Sequence, residues 1–225
     1  MEYVFIGVVL GFLLFILSSF RPAITSKIDE NIFAVNCLMV NFYILKIGND
    51  LILFDTGLNA VFAKRGFKKL GLSPLDVTHI FLTHSDGDHA GGVKAFSNAQ
   101  LFLSTEEEQM INGKTAKKLF IHNKKLKDNY HLLENNDILE IDGVTIRCIL
   151  TPGHTPGSMI YLIDNRICVT GDLLRITRRS KLVQFLRLMN MNHKQNMKSL
   201  NNALDILNDA EIILSGHTGI GKIEK

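Results

Sequence analysis

Six consecutive residues, His84 to His89, hold two imidazoles and two carboxylates: His84, Asp86, Asp88 and His89. Ile80-Phe81-Leu82 lie just upstream and read as the end of a buried strand; Ala90-Gly91-Gly92 follow and open a short helical pattern. The four polar side chains therefore fall on a loop at a strand end, where a scaffold can hold them rigidly. Asp86 and Asp88 packed together without a cation would repel each other. Imidazole plus carboxylate is a ligand set for zinc, manganese or iron. A fold that carries this stretch must bring further donors to the same place.

Three other apolar runs end in such donors. Thr151-Pro152-Gly153-His154 follows the run closing at Leu150, Gly171-Asp172 follows Ile167–Thr170, and Ser215-Gly216-His217 follows Glu211–Leu214. Each time a glycine stands immediately before the His or Asp, permitting a sharp turn and a close approach. Asp55-Thr56-Gly57 ends a fourth run, Leu51–Phe54. His79, His122, His131 and His193 lie in strand-like, polar or basic surroundings and read as packed or surface residues.

The elements around these ends alternate in type. Strands are expected at Ile32–Val40, Asn41–Ile47, Leu51–Phe54, Val77–Leu82 and Gln100–Leu103, with a helix at Asn59–Leu70 closed by Gly71. Thr105-Glu106-Glu107-Glu108 has capping-box spacing. Lys114–Lys127 is basic and reads as a solvated face. Hairpins follow at Ile138–Ile141 with Val144–Leu150 and at Ser158–Ile163 with Ile167–Thr170. A helical pattern over Met197–Leu207 comes next, then a last strand, Glu211–Leu214. Strands then a helix, twice over, suggest two α/β halves whose sheets face each other.

The order Asp-Thr-Gly, Thr-His-x-Asp-x-Asp-His-x-Gly-Gly, Gly-His-Thr-Pro-Gly-Ser, Gly-Asp and Ser-Gly-His resembles the metallo-β-lactamase superfamily of hydrolases, from about Ile32 to the C-terminus. The resemblance implies the α/β (α+β) class, as a four-layer αβ/βα sandwich with a binuclear metal site along one edge. It implies that His84, Asp86 and His154 bind one ion, that Asp88, His89 and His217 bind a second, and that Asp172 bridges them. It places Asp55 as an outer residue steadying the metal loop and Asp88 as the catalytic carboxylate. Most members carry His where this chain has Asp86. A carboxylate there adds negative charge, so two divalent ions are expected, zinc first, with manganese or iron favoured more than usual. The activity implied is hydrolysis of an ester, thioester, lactone, amide or phosphodiester in a small-molecule substrate. A di-iron redox protein of the same fold and an inactive binding protein remain as alternatives. No Gly-x-Ser-x-Gly elbow and no P-loop occur, and nothing indicates nucleic acid. The pattern leaves the oligomeric state open.

Two further stretches carry expectations. Tyr3–Phe20 is an uncharged run of 18 residues, close to the length that spans a bilayer core. It lacks the basic start and small-residue end of a cleaved signal. Residues 1–24 are thus expected to be a transmembrane anchor on a single-pass protein. The hydrolase domain over 32–225 is expected on the cytoplasmic face, since Arg21 and Lys27 follow the run. Three scattered cysteines with no CxxC fit a reducing compartment. Between Asp172 and Asp205 seven basic residues meet no acid. Within that segment Leu182, Phe185, Leu186 and Met189 have the spacing of an apolar helical stripe. Arg178, Arg179 and Lys181 beside it are expected to contact substrate or membrane.

Overall fold

The computed structural model describes residue 11 and residues 19–117, 122–126 and 129–222. One sheet runs in chain order through β1 (Ser26–Lys27), β2 (Ile32–Cys37), β3 (Val40–Ile47), β4 (Asp50–Phe54), β5 (Val77–Phe81), β6 (Gln100–Ser104) and β7 (His131–Leu133). It is antiparallel from β1 to β4 and parallel from β4 to β7. The second sheet contains β8 (Ile138–Ile141), β9 (Val144–Leu150), β10 (Met159–Ile163) and β11 (Ile167–Gly171). After a separate hairpin of β12 (Leu174–Ile176) and β13 (Leu182–Gln184), the chain adds β14 (Ile212–Ser215) and β15 (Gly219–Lys222). The order in that sheet is β15-β14-β11-β10-β9-β8, with β11 and β14 parallel.

Strand alternation sorts side chains into layers. Along β3, Val40, Phe42 and Ile44 pack with Ala63 and Phe67 of helix α1 (Ala60–Leu70), while Tyr43 and Leu45 face the other sheet. Between the sheets lie Phe54, Phe81, Tyr161 and Val169. Beyond the second sheet, Ile160, Leu162 and Cys168 pack on Leu200 and Leu207. Those leucines belong to two further helices, named below. The result is helix, sheet, sheet, helix, with the central strands β3, β4, β10, β11 and β14 buried on both faces along most of their length. Asn59 starts α1 by accepting the Val61 and Phe62 N–H groups, and Gly71 ends it at φ 69°. Ser104, rather than Thr105, caps the turn at residues 105–107, accepting the Glu107 N–H. The expected helix Met197–Leu207 is two helices, His193–Asn202 and Leu204–Asp209, meeting at Ala203.

The single-pass membrane localisation is corrected. No helix among the described residues is long and apolar enough to cross a membrane. That removes the support for a transmembrane layer, a membrane partner through an N-terminal helix and a cytoplasmic-face orientation. Most of Tyr3–Phe20 lies outside the described residues. Its last residue, Phe20, is 8% exposed and stacks on the His217 ring at 4.2 Å. Next to it the Arg21 N–H donates to the His217 carbonyl at 2.7 Å, and the Ala23 N–H to Asn41 Oδ1 at 2.7 Å. The apolar character of Phe20 is thus satisfied within the domain. The segment ahead of Ile32 is tied in further by β1, which pairs with β2.

The apolar stripe over Leu182–Met189 is not a helix. Leu182–Gln184 is a strand, Phe185 turns inward to 1% exposure, and Met189 is exposed. Thr177 sets the hairpin: its N–H donates to the Lys181 carbonyl and its Oγ1 accepts the Lys181 N–H.

Candidate metal centre

All the expected donors gather at strand ends along one edge. Asp55 follows β4; His84 and Asp86 follow β5; Asp88 and His89 sit on the short helix α2 (Gly87–Ala90). His154 lies on the loop after β9, Asp172 follows β11, and His217 follows β14. Because β4 and β5 are parallel, and β11 and β14 are parallel, their C-terminal ends point the same way. Two donor sets result, His84–His154–Asp172 and Asp88–His89–His217, and within each the ligand atoms lie within 4.8 Å of one another.

Asp172 stands between them. Its Oδ2 is 3.4 Å from His154 Nε2, 4.0 Å from His84 Nε2 and 3.3 Å from His217 Nε2; its Oδ1 is 3.4 Å from His89 Nε2. Asp88 Oδ2 is 3.4 Å from His217 Nε2 and 3.9 Å from His89 Nε2. Asp86 Oδ2 lies 3.0 Å from His154 Nε2 and 3.4 Å from His84 Nε2.

The outer hydrogen bonds fix which way each imidazole faces. His217 Nδ1 donates to the Met39 carbonyl at 2.6 Å. His89 Nδ1 lies 2.8 Å from Asp55 Oδ2, and His154 Nδ1 lies 3.2 Å from Asn190 Oδ1. His84 Nδ1 meets Thr83 Oγ1 at 3.0 Å. That hydroxyl already donates to Asp55 Oδ2 at 2.8 Å, so toward His84 it accepts. Every Nδ1 thus faces an acceptor, and every Nε2 can offer a lone pair to the centre. His84 Nε2, His89 Nε2 and Asp172 Oδ1 are buried without a hydrogen-bond partner. Three orphaned buried atoms facing one space fit a bound cation, because such groups are otherwise costly.

The site's electrostatics point the same way. Burial opposes charge on His217, yet Asp172 and Asp88 raise its pKa to about 10. Burial likewise opposes charge on His89, but Asp172, Asp55 and Asp88 hold it well above the usual imidazole range. Burial pushes Asp88 up, and His89 and His217 more than reverse this, bringing it to about 2. Asp172 behaves alike, held well below the carboxylate range by His217, His89 and His154 against its burial. Clustered carboxylates draw positive charge onto His89 and His217, which a cation can replace, while burial holds His154 below the usual imidazole range.

Asp55 holds two pieces of the centre at once. Its Oδ1 accepts the Thr83 N–H at 2.7 Å while its Oδ2 faces His89. It does so from φ 64°, where an aspartate is tolerated better than most residues.

Three side chains escaped the sequence reading. Glu107, with no exposed surface, accepts the Ser85 N–H and Oγ on Oε1 at 2.8 and 2.6 Å. Its Oε2 accepts Thr155 Oγ1 and the Gly157 N–H at 2.6 and 3.1 Å. It thereby ties the His84–His89 loop to the His154 loop. Lys117, expected on a solvated face, instead pairs with Asp86 Oδ2. Asn123, from the same stretch, donates to Ser85 Oγ at 2.8 Å and Asp86 Oδ1 at 3.2 Å. Phe185 stands edge-on to His154 at 5.2 Å and 5.6 Å from His217, so with Phe20 it forms an aromatic wall. Arg178, Arg179 and Lys181 lie exposed at the tip of the β12–β13 hairpin. Among the described residues, no hydrogen bond or ion pair joins them to the His/Asp sets.

The family model of the metallo-β-lactamase superfamily matches residues 35–217, a span that takes in all of these strand ends. The chain belongs to that superfamily. Probable metallo-hydrolase YqgX of Bacillus subtilis is 28% identical over 195 residues, covering 81% of this chain and 87% of that protein. Lactamase-like protein nscB of Trichophyton rubrum is 30% identical over 137 residues, 59% of this chain. That stretch is only 37% of the fungal protein's length. Among solved structures, a metallo-β-lactamase of Cronobacter sakazakii with a HARLDQ motif superposes at a TM-score of 0.68 and 23% identity, over 89% of this chain and 80% of its own. At that identity the likeness is one of fold. Membership in the metallo-β-lactamase superfamily carries metallohydrolase chemistry and divalent-metal binding at the level of the superfamily.

Proposed function

We propose that the chain is a binuclear metallohydrolase acting on a small molecule with an ester, thioester, lactone, amide or phosphodiester bond. His84, Asp86 and His154 would hold one ion, Asp88, His89 and His217 the other, with Asp172 between them. The observation that carries this reading is the inward Nε2 of all four histidines beside the orphaned Asp172 Oδ1. When bound, two divalent ions supply an activated water at neutral pH and polarise the substrate oxygen. Zinc is the first expectation. The Asp86 carboxylate leaves manganese or iron in contention.

The chain's own residues have separable tasks. Asp88 has a side chain 28% exposed, against 4% for Asp172, so it is the donor-set carboxylate that reaches substrate space. It would orient the nucleophile, accept that water's proton on a carboxylate oxygen and return the same proton to the leaving group. Phe20 and Phe185 keep water away from His217 and His154. Asp55 and Glu107 hold the loops, and their hydrogen bonds are satisfied without the substrate. The name of YqgX, a probable metallo-hydrolase, supports the same class. The test is metal analysis of the purified full-length chain, followed by an ester, thioester, lactone, amide and phosphodiester panel with zinc, manganese and iron. Turnover that follows metal content is expected. Oxygen or nitric oxide consumption without hydrolysis would favour the di-iron redox alternative, for which the carboxylate at 86 is the motive. A metal-free, inert chain would leave a binding protein.

A further inference from the structure

Beside the residues that flank Phe20 and His217, the N-terminal segment, the β12–β13 hairpin and the turn after β14 line an open cavity of about 240 Å³. That is several times the roughly 30 Å³ that one water occupies in the liquid. Arg21, Arg175 and Arg178 line it, with the hydroxyl-bearing residues Ser19, Thr177 and Thr218, and among the described residues no carboxylate does. Arg175 is held below its ordinary range by burial and by the charge of Arg21. Among the described residues no ion pair reaches any of the three arginines. Arg166, elsewhere, lies 2.8 Å from Asp29 and 3.5 Å from Glu211.

Three like charges around one hollow are unfavourable unless something negative enters it. The guanidinium groups are also partly fixed in place. Arg21 Nη2 donates to the Ile176 carbonyl at 2.7 Å, and Arg175 Nε to the Gln184 carbonyl at 3.4 Å. Each contact uses one donor of five and leaves the rest of the planar fork available. Such forks match the paired oxygens of phosphate or carboxylate. Thr218 Oγ1 is already engaged, accepting the Ile176 N–H at 2.7 Å and donating to Ser215 at 3.0 Å, so the arginines supply the recognition.

We propose that this cavity is a binding site for a small oxyanion, phosphate or carboxylate, separate from the donor sets of the metal centre. Four of its neighbours by sequence belong to that centre or its wall. Ser19 and Arg21 flank Phe20, Thr218 follows His217, Val183 is two residues from Phe185, and Arg175 is three from Asp172. An anion here braces the backbone on which His217 and the aromatic wall sit. The oxyanion is either a free ion or the charged tail of the substrate itself. The anion site itself does not rest on the hydrolase reading, because it concerns residues outside both donor sets; only its assignment to the substrate's tail does.

The test is calorimetric titration of inorganic phosphate into the metal-loaded full-length chain, with ionic strength held constant by chloride. Saturable binding is expected, weakened at least about tenfold in Arg175→Gln/Arg178→Gln, the scale of one lost charge-assisted hydrogen bond. Metal content measured on the same samples should equal the parent's. Arg178→Gln alone, at an exposed position that the fold does not need, should show part of the same loss. Arg175→Lys should recover less than the parent, because the charge returns without the fork. Phosphate that competes with substrate assigns the anion to the substrate's tail, and phosphate that binds without competing assigns it to a free ion. Absence of saturable binding overturns the site, and so does a double variant within tenfold of the parent, which places the bound phosphate elsewhere.

Discussion

The two donor sets are built alike and differ in how their carboxylates are balanced. In the Asp88–His89–His217 set, both imidazoles are fixed through Nδ1 by Asp55 and the Met39 carbonyl, and Phe20 stacks on His217. All of these partners are buried or belong to the backbone. In the set around His84 and His154, Asp86 is shared with a lysine and an asparagine from the stretch between α3 (Glu108–Ile111) and β7. Its charge balance therefore depends on side chains from outside the strand ends. His84 and His154 are held through Nδ1 as well, by the buried Thr83 and Asn190, so the partners of Asp86 are what set the first half apart.

The largest expected effect comes from removing a donor. His217→Ala should weaken the second ion by more than the roughly 10–100-fold typical of losing an outer partner. It should also leave Asp88 without its 3.4 Å neighbour. His84→Ala should do the same to the first ion, with the fold retained in both by circular dichroism. If either variant kept full metal content and turnover, the donor assignment would be wrong.

Next comes the brace. Asp55→Ala strands the Thr83 N–H and frees the His89 ring, so the second ion should weaken by about 10–100-fold. The fold should lose about 1–3 kcal/mol from the unsatisfied buried donor. A loss shared equally by both ions would show that the brace serves the two halves together.

A smaller effect is expected where charge is adjustable. Lys117→Ala should raise affinity in the first set by about threefold or more, on the scale of a partly exposed ion pair. Asp86→His should shift preference from manganese toward zinc. Unchanged zinc-to-manganese ratios in Asp86→His would count against the role of charge at this position.

Proton competition gives a finer separation. His217 is raised to about 10, so in the chelated chain its charge stabilises the fold fully below about pH 6.5 and fades as pH climbs through 10. Asp88, depressed to about 2, contributes above about pH 3.9 and is lost as pH falls through 2. Thermal midpoints of the chelated chain should therefore fall from neutral to alkaline pH. Second-ion affinity should rise over the same window, as less proton must be displaced. A flat profile in both would remove His217 from the exchange.

Much of this centre could be read in the sequence because its parts are local. Strand, glycine and donor sit within four residues of each other at Gly153-His154, Gly171-Asp172 and Gly216-His217, and parallel strands carry those ends to one edge. What escaped was set by contacts between distant segments. Glu107 reaches Ser85 across 22 positions and Gly157 across 50, and no local pattern marks it as different from Glu106. Lys117 sits in a basic stretch with the composition of a solvated face, yet it turns in to Asp86, 31 positions away. The spacing of Leu182, Phe185, Leu186 and Met189 fits a helix, but Thr177 closes a hairpin first and sends Phe185 to the histidines. The uncharged run ending at Phe20 had the length of a membrane span, and hydropathy cannot register that its last ring stacks on an imidazole.

The most direct test of the two-set account is a metal titration of the chelated full-length chain, followed by mass spectrometry under native conditions. Two ions per chain should bind in two resolved steps. His217→Ala should retain the first and lose the second, while His84→Ala should do the reverse. A single step, or loss of both ions together in each variant, would contradict two separately held ions.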